Sequence, residues 1–521
     1  DSTVVNNAGT MTLTGASLIG QFNAAGTSFT NSNVLNLGSG SARPVLNVNG
    51  NFVQTGAGKL GVMIGLPSTT GPVAGSTFSQ VRASGTATLG GTLALTVTSG
   101  YYPTNSLYNV VVGDQGVSGN FSSVTGNVLT FITFTPVGVV TLGGTQQAYQ
   151  LRVDRTTTYA AGIATGATAN QIAVANGFQP LVAYADTHQT SDAAALVGSV
   201  DVLTAAQAQT FFDSVSPAGY LAYANSMRDH ASLFQRQVAL RMHDHNSDQA
   251  QKGWWLNFGM QALASKATGT DKTKTTGLNF AGGYDFSGPS YLFGLAAGYS
   301  HGSLKYGPGT MEGKDNAYQI GAYAQYSMGP LFVGAIVDYQ FGSLKATKTS
   351  SANTITRAAS ADTKSKLLTA SGRIGADLDA GPITFRPFVG VEYNKGSIDG
   401  FTETGAGAAN LIVSKIDADR TDLLAGATLT RSTGRWRPYV KGTYRSLIGT
   451  APANGVTAAF IDIPTSTFTV TGRGAGKTEF DVDAGLNWVS DDEGGLYIAY
   501  QGTYRNDITS HGIVAGIRLE F

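Results

Sequence analysis

The stretch FDVDAGLNW (480–488) decides the fold of this chain. Phe480, Val482, Ala484, Leu486 and Trp488 are apolar, and the intervening Asp481, Asp483, Gly485 and Asn487 are acidic, minimal or polar. Side chains of a strand alternate between two faces, so this segment is oily on one face and wet on the other. Carboxylates two residues apart do not pack into a dry core. The wet face therefore needs water, and the oily face needs something other than water.

The same alternation fills the chain from Gly253 onward. Trp254, Leu256, Phe258 and Met260 alternate with Trp255, Asn257, Gly259 and Gln261, and Tyr318, Ile320, Ala322 and Ala324 with Gln319, Gly321, Tyr323 and Gln325. About twelve such segments are present, each with the roughly 10 residues a tilted membrane strand needs. Their connections alternate too. SGPS (287–290), MGP (328–330), AGP (380–382) and DDEGG (491–495) are tight, whereas residues 347–365 and 448–478 read as long loops.

A soluble up-and-down barrel or sandwich also alternates, but it encloses an apolar face. Here one face carries Asp338, Asp377, Arg386, Glu392, Arg437, Lys441, Arg445, Asp481 and Asp483. Charges of both signs suit a watery lumen. Tyr284, Tyr291, Tyr326, Tyr393, Trp436, Trp488 and Tyr504 at strand ends would form interfacial girdles. The expectation is an all-β chain with a short helical linker, whose last part is a 12-stranded antiparallel outer-membrane β-barrel spanning 251–521.

Composition agrees. Lys+Arg 33 balance Asp+Glu 33, which gives no basic field for nucleic acid, and there are 68 Gly and no Cys. A chain crossing an oxidising compartment unfolded is well served by lacking cysteine. No run of roughly 18 apolar residues exists for a membrane helix. No signal-peptide pattern opens the sequence at Asp1, so an exported chain is expected to have its leader removed or lying outside this stretch.

Upstream, residues 1–155 are rich in Gly, Thr, Ser, Asn and Val. Short strands such as GTMTLTG (9–15), LNVNG (46–50) and GTLALTV (91–97) sit between Gly or Asn turns. They read as rungs of a β-solenoid, with a β-sandwich as the alternative. Residues 156–215 are Ala-rich with helical spacing. In 216–250, Ser216 is a candidate N-cap and Pro217 a first-turn proline. Tyr220, Tyr223, Met227, Ala231, Phe234 and Val238 mark one helical face, with Arg228, Arg236 and Arg241 elsewhere. From Pro217 to Arg241 such a helix extends on the order of 37 Å, enough to cross a bilayer core. Its polar residues forbid lipid contact, so it would cross inside something.

A helical linker, a pore-length helix and about twelve strands closing on Phe521 together resemble a classical, type Va, autotransporter. GWWLNFGM (253–260) is similar to that family's first strand, and SPAGYLAYANSMRDHASLFQRQV (216–238) to its pore helix. LGGTL (Leu89, Gly90, Gly91, Thr92, Leu93) and VSGNF ending at Phe121 are similar to its autochaperone segment, expected within 51–155. Residues 1–50 would then be rungs of a right-handed β-helix passenger. The closing strand resembles the family's barrel-assembly signal at Gly516, Ile517, Leu519 and Phe521, although Val514 stands where a polar residue is usual.

The resemblance implies an outer-membrane location, with the N-terminal region at the cell surface and export of the chain's own passenger. Implied partners are outer-membrane lipid, the barrel assembly machinery and periplasmic chaperones, for a monomer needing no cofactor. The helix arginines would meet lumenal carboxylates such as Asp338, Asp377 and Glu392. Self-cleavage beside an Asn would fall at Asn225 or Asn246, but neither has an Asn-Asn context, so intact attachment is expected. Two other classes stay open: an adhesin acting through its β-solenoid, and a secreted enzyme whose catalytic part lies upstream.

Other chemistry finds little support. GYSHG (298–302) mimics a nucleophile elbow at Ser300, but a loop rather than a helix follows. GRGAGKT (472–478) has Thr471 where a phosphate loop needs Gly. His243, Asp244, His245 and Asp248 read as a solvated hinge rather than a metal site.

Overall fold

The structure is a computed structural model that describes residues 4–15, 17–19, 27–68, 70–243, 251–265, 272–307, 311–431, 433–449, 454–472, 476–490, 494–505 and 508–520. The chain forms two compact units, Asp1–Phe212 with Ser351–Thr356 and Gly407–Ala409, and Asp213–Ser350 with Arg357–Ala406 and Asn410–Phe521.

In the first unit, each coil of the chain gives one short strand to each of three parallel sheets. Val4–Asn7, Ser28–Asn31, Asn51–Gln54, Ala87–Leu89 and Val117–Gly119 make one of them. Register stacks like on like. Leu35, Leu60 and Leu93 lie in line, all fully buried. Asn7 donates to Asn31 at 2.8 Å, and Asn31 to Gln54 at 2.8 Å, an amide ladder whose second rung is buried. This is a β-solenoid, not a sandwich. The stack crosses residue 50 unbroken, with Phe29 paired to Phe52 at a ring separation of 6.2 Å.

Such a stack ends in a row of unpaired backbone groups. Here the antiparallel hairpin Thr133–Gly143 and Gln146–Asp154 folds against Leu107–Gly113 and covers one sheet. Phe121 is buried and meets Tyr149 of that hairpin edge-on at 5.0 Å, tying the last coil to its cap. Leu89 and Leu93 point inward on either side of a tight corner. Gly91 has φ +62° there, and a side chain on it would lie 2.6 Å from the Thr55 carbonyl oxygen.

Residues 156–215 fold as five helices: α1 (Tyr159–Gly162), α2 (Ala169–Phe178), α3 (Leu181–Thr187), α4 (Asp192–Asp201) and α5 (Ala205–Val215). A capping box of Thr168 and Gln171 starts α2, and Ser191 caps α4. Tyr159, Phe178, Phe211 and Phe212 share one aromatic cluster. Arg155 holds the buried Asp201 at 2.6 Å.

The second unit holds α6 (Tyr220–His243) and the barrel. The helix starts three residues later than the expected Pro217. Tyr220, Leu221 and Ala222 donate to the carbonyls of Pro217, Ala218 and Gly219, tight turns rather than helix. Gly219 disfavours helix there, so Ser216 serves that turn and does not cap α6.

Twelve strands form the wall: β1 (Gln251–Ser265), β2 (Thr273–Gly288), β3 (Tyr291–Tyr306), β4 (Met311–Met328), β5 (Leu331–Ala352) and β6 (Ile355–Ala376), then β7 (Ile383–Ile398), β8 (Arg420–Arg431), β9 (Trp436–Leu447), β10 (Thr478–Val489), β11 (Gly494–Arg505) and β12 (Ile508–Glu520). Each pairs antiparallel with the next, and β12 returns to β1 with Leu519 opposite Trp254. The sheet closes. Outward positions of β1 (Trp254, Leu256, Phe258 and Met260) are between 44% and 56% exposed, whereas inward Trp255 is 2% exposed. An apolar belt of this kind around a whole cylinder demands lipid.

The two expected long loops are structured. Residues 347–365 are the ends of β5 and β6, turned at Asn353 with φ +51°. Residues 448–478 contain the hairpin Gly455–Phe460 and Phe468–Thr471, which joins Leu411–Val413 and Phe401–Thr402 in a four-stranded sheet. The first reads as a loop because its Thr- and Ser-rich strands show little oily face. The second does alternate, burying Val456, Ala458, Phe460, Phe468 and Val470, but in strands of only six and four residues, too short to read as wall strands.

Candidate functional site

Helix α6 is buried around its whole circumference, with Leu233, Phe234, Gln235, Arg236 and Gln237 enclosed in succession. A surface helix buries only one stripe, so this one lies inside the barrel. Small residues on the wall make the room. A side chain on Gly298 of β3 would come within 2.8 Å of the Phe234 ring, and one on Gly321 of β4 within 3.1 Å.

Polar pairs hold the helix along its length. Arg236 reaches Asp483 at 2.6 Å and Asp481 at 3.3 Å, both on β10. Arg241 forms a two-pronged pair with Asp285 of β2, both contacts 2.7 Å. Asp285 also accepts from the Tyr323 hydroxyl at 2.7 Å, and that oxygen accepts from Trp255 Nε1 at 2.8 Å. In the other direction, Arg505 of β11 grips Asp229 of α6 at 2.6 and 2.8 Å. Gln235 donates to Asp338 at 2.5 Å and accepts from Ser371 at 2.7 Å. The Met227 carbonyl accepts from Gln340 at 3.2 Å. Charge-assisted bonds of this sort are the strong ones when water is excluded.

The helix arginines do not meet the expected Asp338, Asp377 and Glu392. Arg228 approaches Glu479 at 3.8 Å, and Arg236 and Arg241 take Asp481, Asp483 and Asp285. Asp338 instead serves Gln235, Asp377 pairs with Arg386 at 2.9 Å, and Glu392 with Arg445 at 2.7 Å. Alternation placed these groups in the lumen but could not give their height on the wall, and height selects partners. Arg437 turns back to the Gly434 carbonyl at 3.2 Å, at the rim of its own short turn.

A clamp that sequence reading missed sits at the start of α6. Glu403, fully buried, accepts from the Tyr220 hydroxyl at 2.7 Å, Lys348 at 2.8 Å and the Leu411 N–H at 3.0 Å. Tyr220 also packs edge-on against Phe401 at 4.8 Å. The four-stranded sheet of the two long segments is thus fastened to the helix and to β5. Glu403 carried no signal because it lies outside any alternating run.

At the seam, Ile517 and Leu519 face outward. Gly516 faces the lumen, where a side chain would collide with the Tyr497 ring and the Asn257 side chain. Phe521 falls outside the described residues, as do Asp244, His245, Asn246 and Asp248. Asn225 lies within α6, and Ser300 is a buried, lumen-facing residue of β3 whose strand continues past it.

Residues 253–501 match the family model described as the autotransporter β-domain. Among solved structures the chain is similar to the translocator domain of autotransporter NalP from Neisseria meningitidis, at 14% identity over 57% of this chain and 99% of that one, with a TM-score of 0.47. It is also similar to the β-domain of the Bordetella autotransporter BrkA, at 16% identity over 52% and 100% of the two chains, with a TM-score of 0.40. The transport unit of the autotransporter AIDA-I from Escherichia coli matches at 14% identity over 57% and 96%, with a TM-score of 0.37. No curated protein sequence matches. The family match runs along a closed twelve-strand wall with a helix through its lumen, and residues 253–501 accordingly form an autotransporter β-domain, an outer-membrane translocator barrel.

Proposed function

We propose that the barrel exports the chain's own N-terminal region to the cell surface and is then closed by α6. The observation that carries this reading is the helix threaded through the lumen, which joins the N-terminal region to the first wall strand. A chain connected in this way reaches the far side only by passing through the cylinder. No nucleotide enters, and no catalytic step is needed. Coiling of the solenoid outside, which buries the aligned leucines in turn, opposes backsliding. The segment containing Leu89, Gly90, Gly91, Thr92, Leu93 and Phe121 starts that coiling, because it joins the last coils to their cap.

Insertion uses the seam. Before β12 meets β1 its edge is an open template, which suits capture by the barrel assembly machinery after delivery by periplasmic chaperones. Whole cells treated with an external protease test the proposal. Trimming should remove the N-terminal region and leave a heat-modifiable barrel; an N-terminal region that resists digestion until the outer membrane is broken would sink it.

A further inference from the structure

The outward face of the barrel changes character above its apolar belt, on the side of the long segments. On β4 the exposed Ile320 and Tyr318 give way to Asn316, Lys314 and Glu312, and on β5 Phe341 gives way to Ser343 and Lys345. Lys314 and Lys345 stand four residues past the last exposed aromatic, about 10 Å along a tilted strand. That is the depth of lipid headgroups.

Lys274 on β2, Lys305 on β3 and Lys364 on β6 continue the row over five neighbouring strands. Two pairs lie directly opposite each other in register, Lys274 with Lys305 and Lys314 with Lys345. Like charges so placed repel, and an anion between them removes the repulsion.

The carboxylates nearby do not balance the row. Lys305 meets Glu312 at 3.2 Å and Lys345 meets Asp362 at 3.4 Å, all more than half exposed, where ion pairs contribute little. Lys274, Lys314 and Lys364 have no carboxylate partner among the described residues. Five lysines against two carboxylates leave three positive charges in excess. A groove of about 1180 Å³ runs between them, rimmed by Lys305, Glu312, Lys314, Lys345 and Asp362.

The surface is also one-sided. Across the barrel, outward Tyr444 and Phe480 are followed two residues higher by Ser446 and Thr478, without charge.

We propose that this face binds the phosphate groups of an anionic glycolipid in the outer leaflet. The source is lipid because the basic row continues into the apolar belt, where Tyr318, Ile320 and Phe341 can take acyl chains. Paired lysines supply the point charges that a phosphate needs from two sides.

The test uses the full chain in detergent, titrated with bisphosphorylated lipid A, dephosphorylated lipid A or inorganic phosphate, with binding read by native mass spectrometry. The phosphorylated lipid should bind about tenfold or more tightly than the dephosphorylated one, and salt should weaken it. Lys314→Gln with Lys345→Gln and Lys364→Gln should weaken it at least about fivefold, while Lys415→Gln, far along the chain in another exposed pair, should not. Equal binding of the two lipids, or a triple variant that binds like the parent, overturns the proposal. Full displacement by inorganic phosphate also overturns it, by showing a free-phosphate site. If the triple variant does not fold, the parent's phosphate preference and salt dependence still decide.

Discussion

Arg236 of the lumenal helix sets its guanidinium 2.6 Å from Asp483 and 3.3 Å from Asp481, so one cation answers two carboxylates on the same face of β10. Arg445 shares Asp481 at 2.9 Å and extends the cluster to Glu392. All five groups are buried. Enclosed between the helix and the wall, such a network is costly to assemble and more costly to break.

Replacing Arg236 by Met should therefore leave two buried carboxylates with too little positive charge, at about 3–5 kcal/mol. The barrel should unfold at a lower temperature on a heat-modifiability gel, and single-channel conductance in planar bilayers should rise. Exchanging the charges, Arg236→Asp with Asp483→Arg, should recover part of the loss. A closed pore of unchanged stability in Arg236→Met would mean that the cluster does not hold the helix.

Gly298 tests the fit of the helix separately from its charges. A Cβ there would lie 2.8 Å from the Phe234 ring, so Gly298→Leu should push α6 aside at about 1–3 kcal/mol and raise conductance. Phe234→Ala in the same chain frees the space and should lower conductance again. If the double variant conducts like Gly298→Leu alone, the two positions are not in contact.

Glu403 makes a third case, at the helix's other end. Glu403→Gln removes the charge that Lys348 meets at 2.8 Å and turns an amide N–H₂ toward groups that are themselves donors. Hydrogen exchange in Leu411–Val413 and Gly455–Phe460 should quicken by tenfold or more, at about 1.4 kcal/mol per factor of ten, while β1 to β4 stay protected. Glu403→Leu with Lys348→Met should be milder than either single change, since no buried charge is left alone. Equal protection in Glu403→Gln and the parent would remove Glu403 from the clamp.

The barrel was legible because one rule, alternation, was repeated along it. In FDVDAGLNW that rule separated Asp481 and Asp483 from Phe480 and Val482 without any partner being known. It also placed Trp255 and Val514 inside. It failed where both faces are polar, in the ends of β5 and β6 above the belt. It could not see Asp285 as Arg241's partner, because pairing depends on strand stagger, which is not written in any single strand. The helix start slipped by a turn because Pro217 favours a first turn while Gly219 opposes helix. In the solenoid, Leu60 and Leu93 were readable as apolar positions, but their alignment came only from the coil length.

Leu93 sits fully buried in line with Leu60, so Leu93→Ala should cost the solenoid about 2–5 kcal/mol. Phe121→Ala should act differently. It loosens the last coil from Tyr149, and its effect should concentrate on Val117–Gly119 and the hairpin. Hydrogen exchange resolved by segment separates the two. Uniform destabilisation by Phe121→Ala would argue against a capping role.

Alkali gives the last test, because the solenoid buries phenols. Burial pushes the Tyr102 hydroxyl up to about 12, although it donates to the Thr98 carbonyl at 2.7 Å, and burial raises Tyr108 further. An unfolded phenol ionises near 10. The folded state thus holds protons that the unfolded state has released; the stabilisation from Tyr102 is complete below pH 10 and is lost as pH rises through about 12, and the loss from Tyr108 continues to higher pH. The slope is about 1.4 kcal/mol per pH unit for each tyrosine, so Tyr102 and Tyr108 together make loss of the solenoid steep above pH 10. Tyr102→Phe removes one titrating group and should flatten that slope by one proton's worth, followed by tyrosinate absorbance and circular dichroism. An unchanged slope in Tyr102→Phe would show that this phenol is not held neutral by the fold.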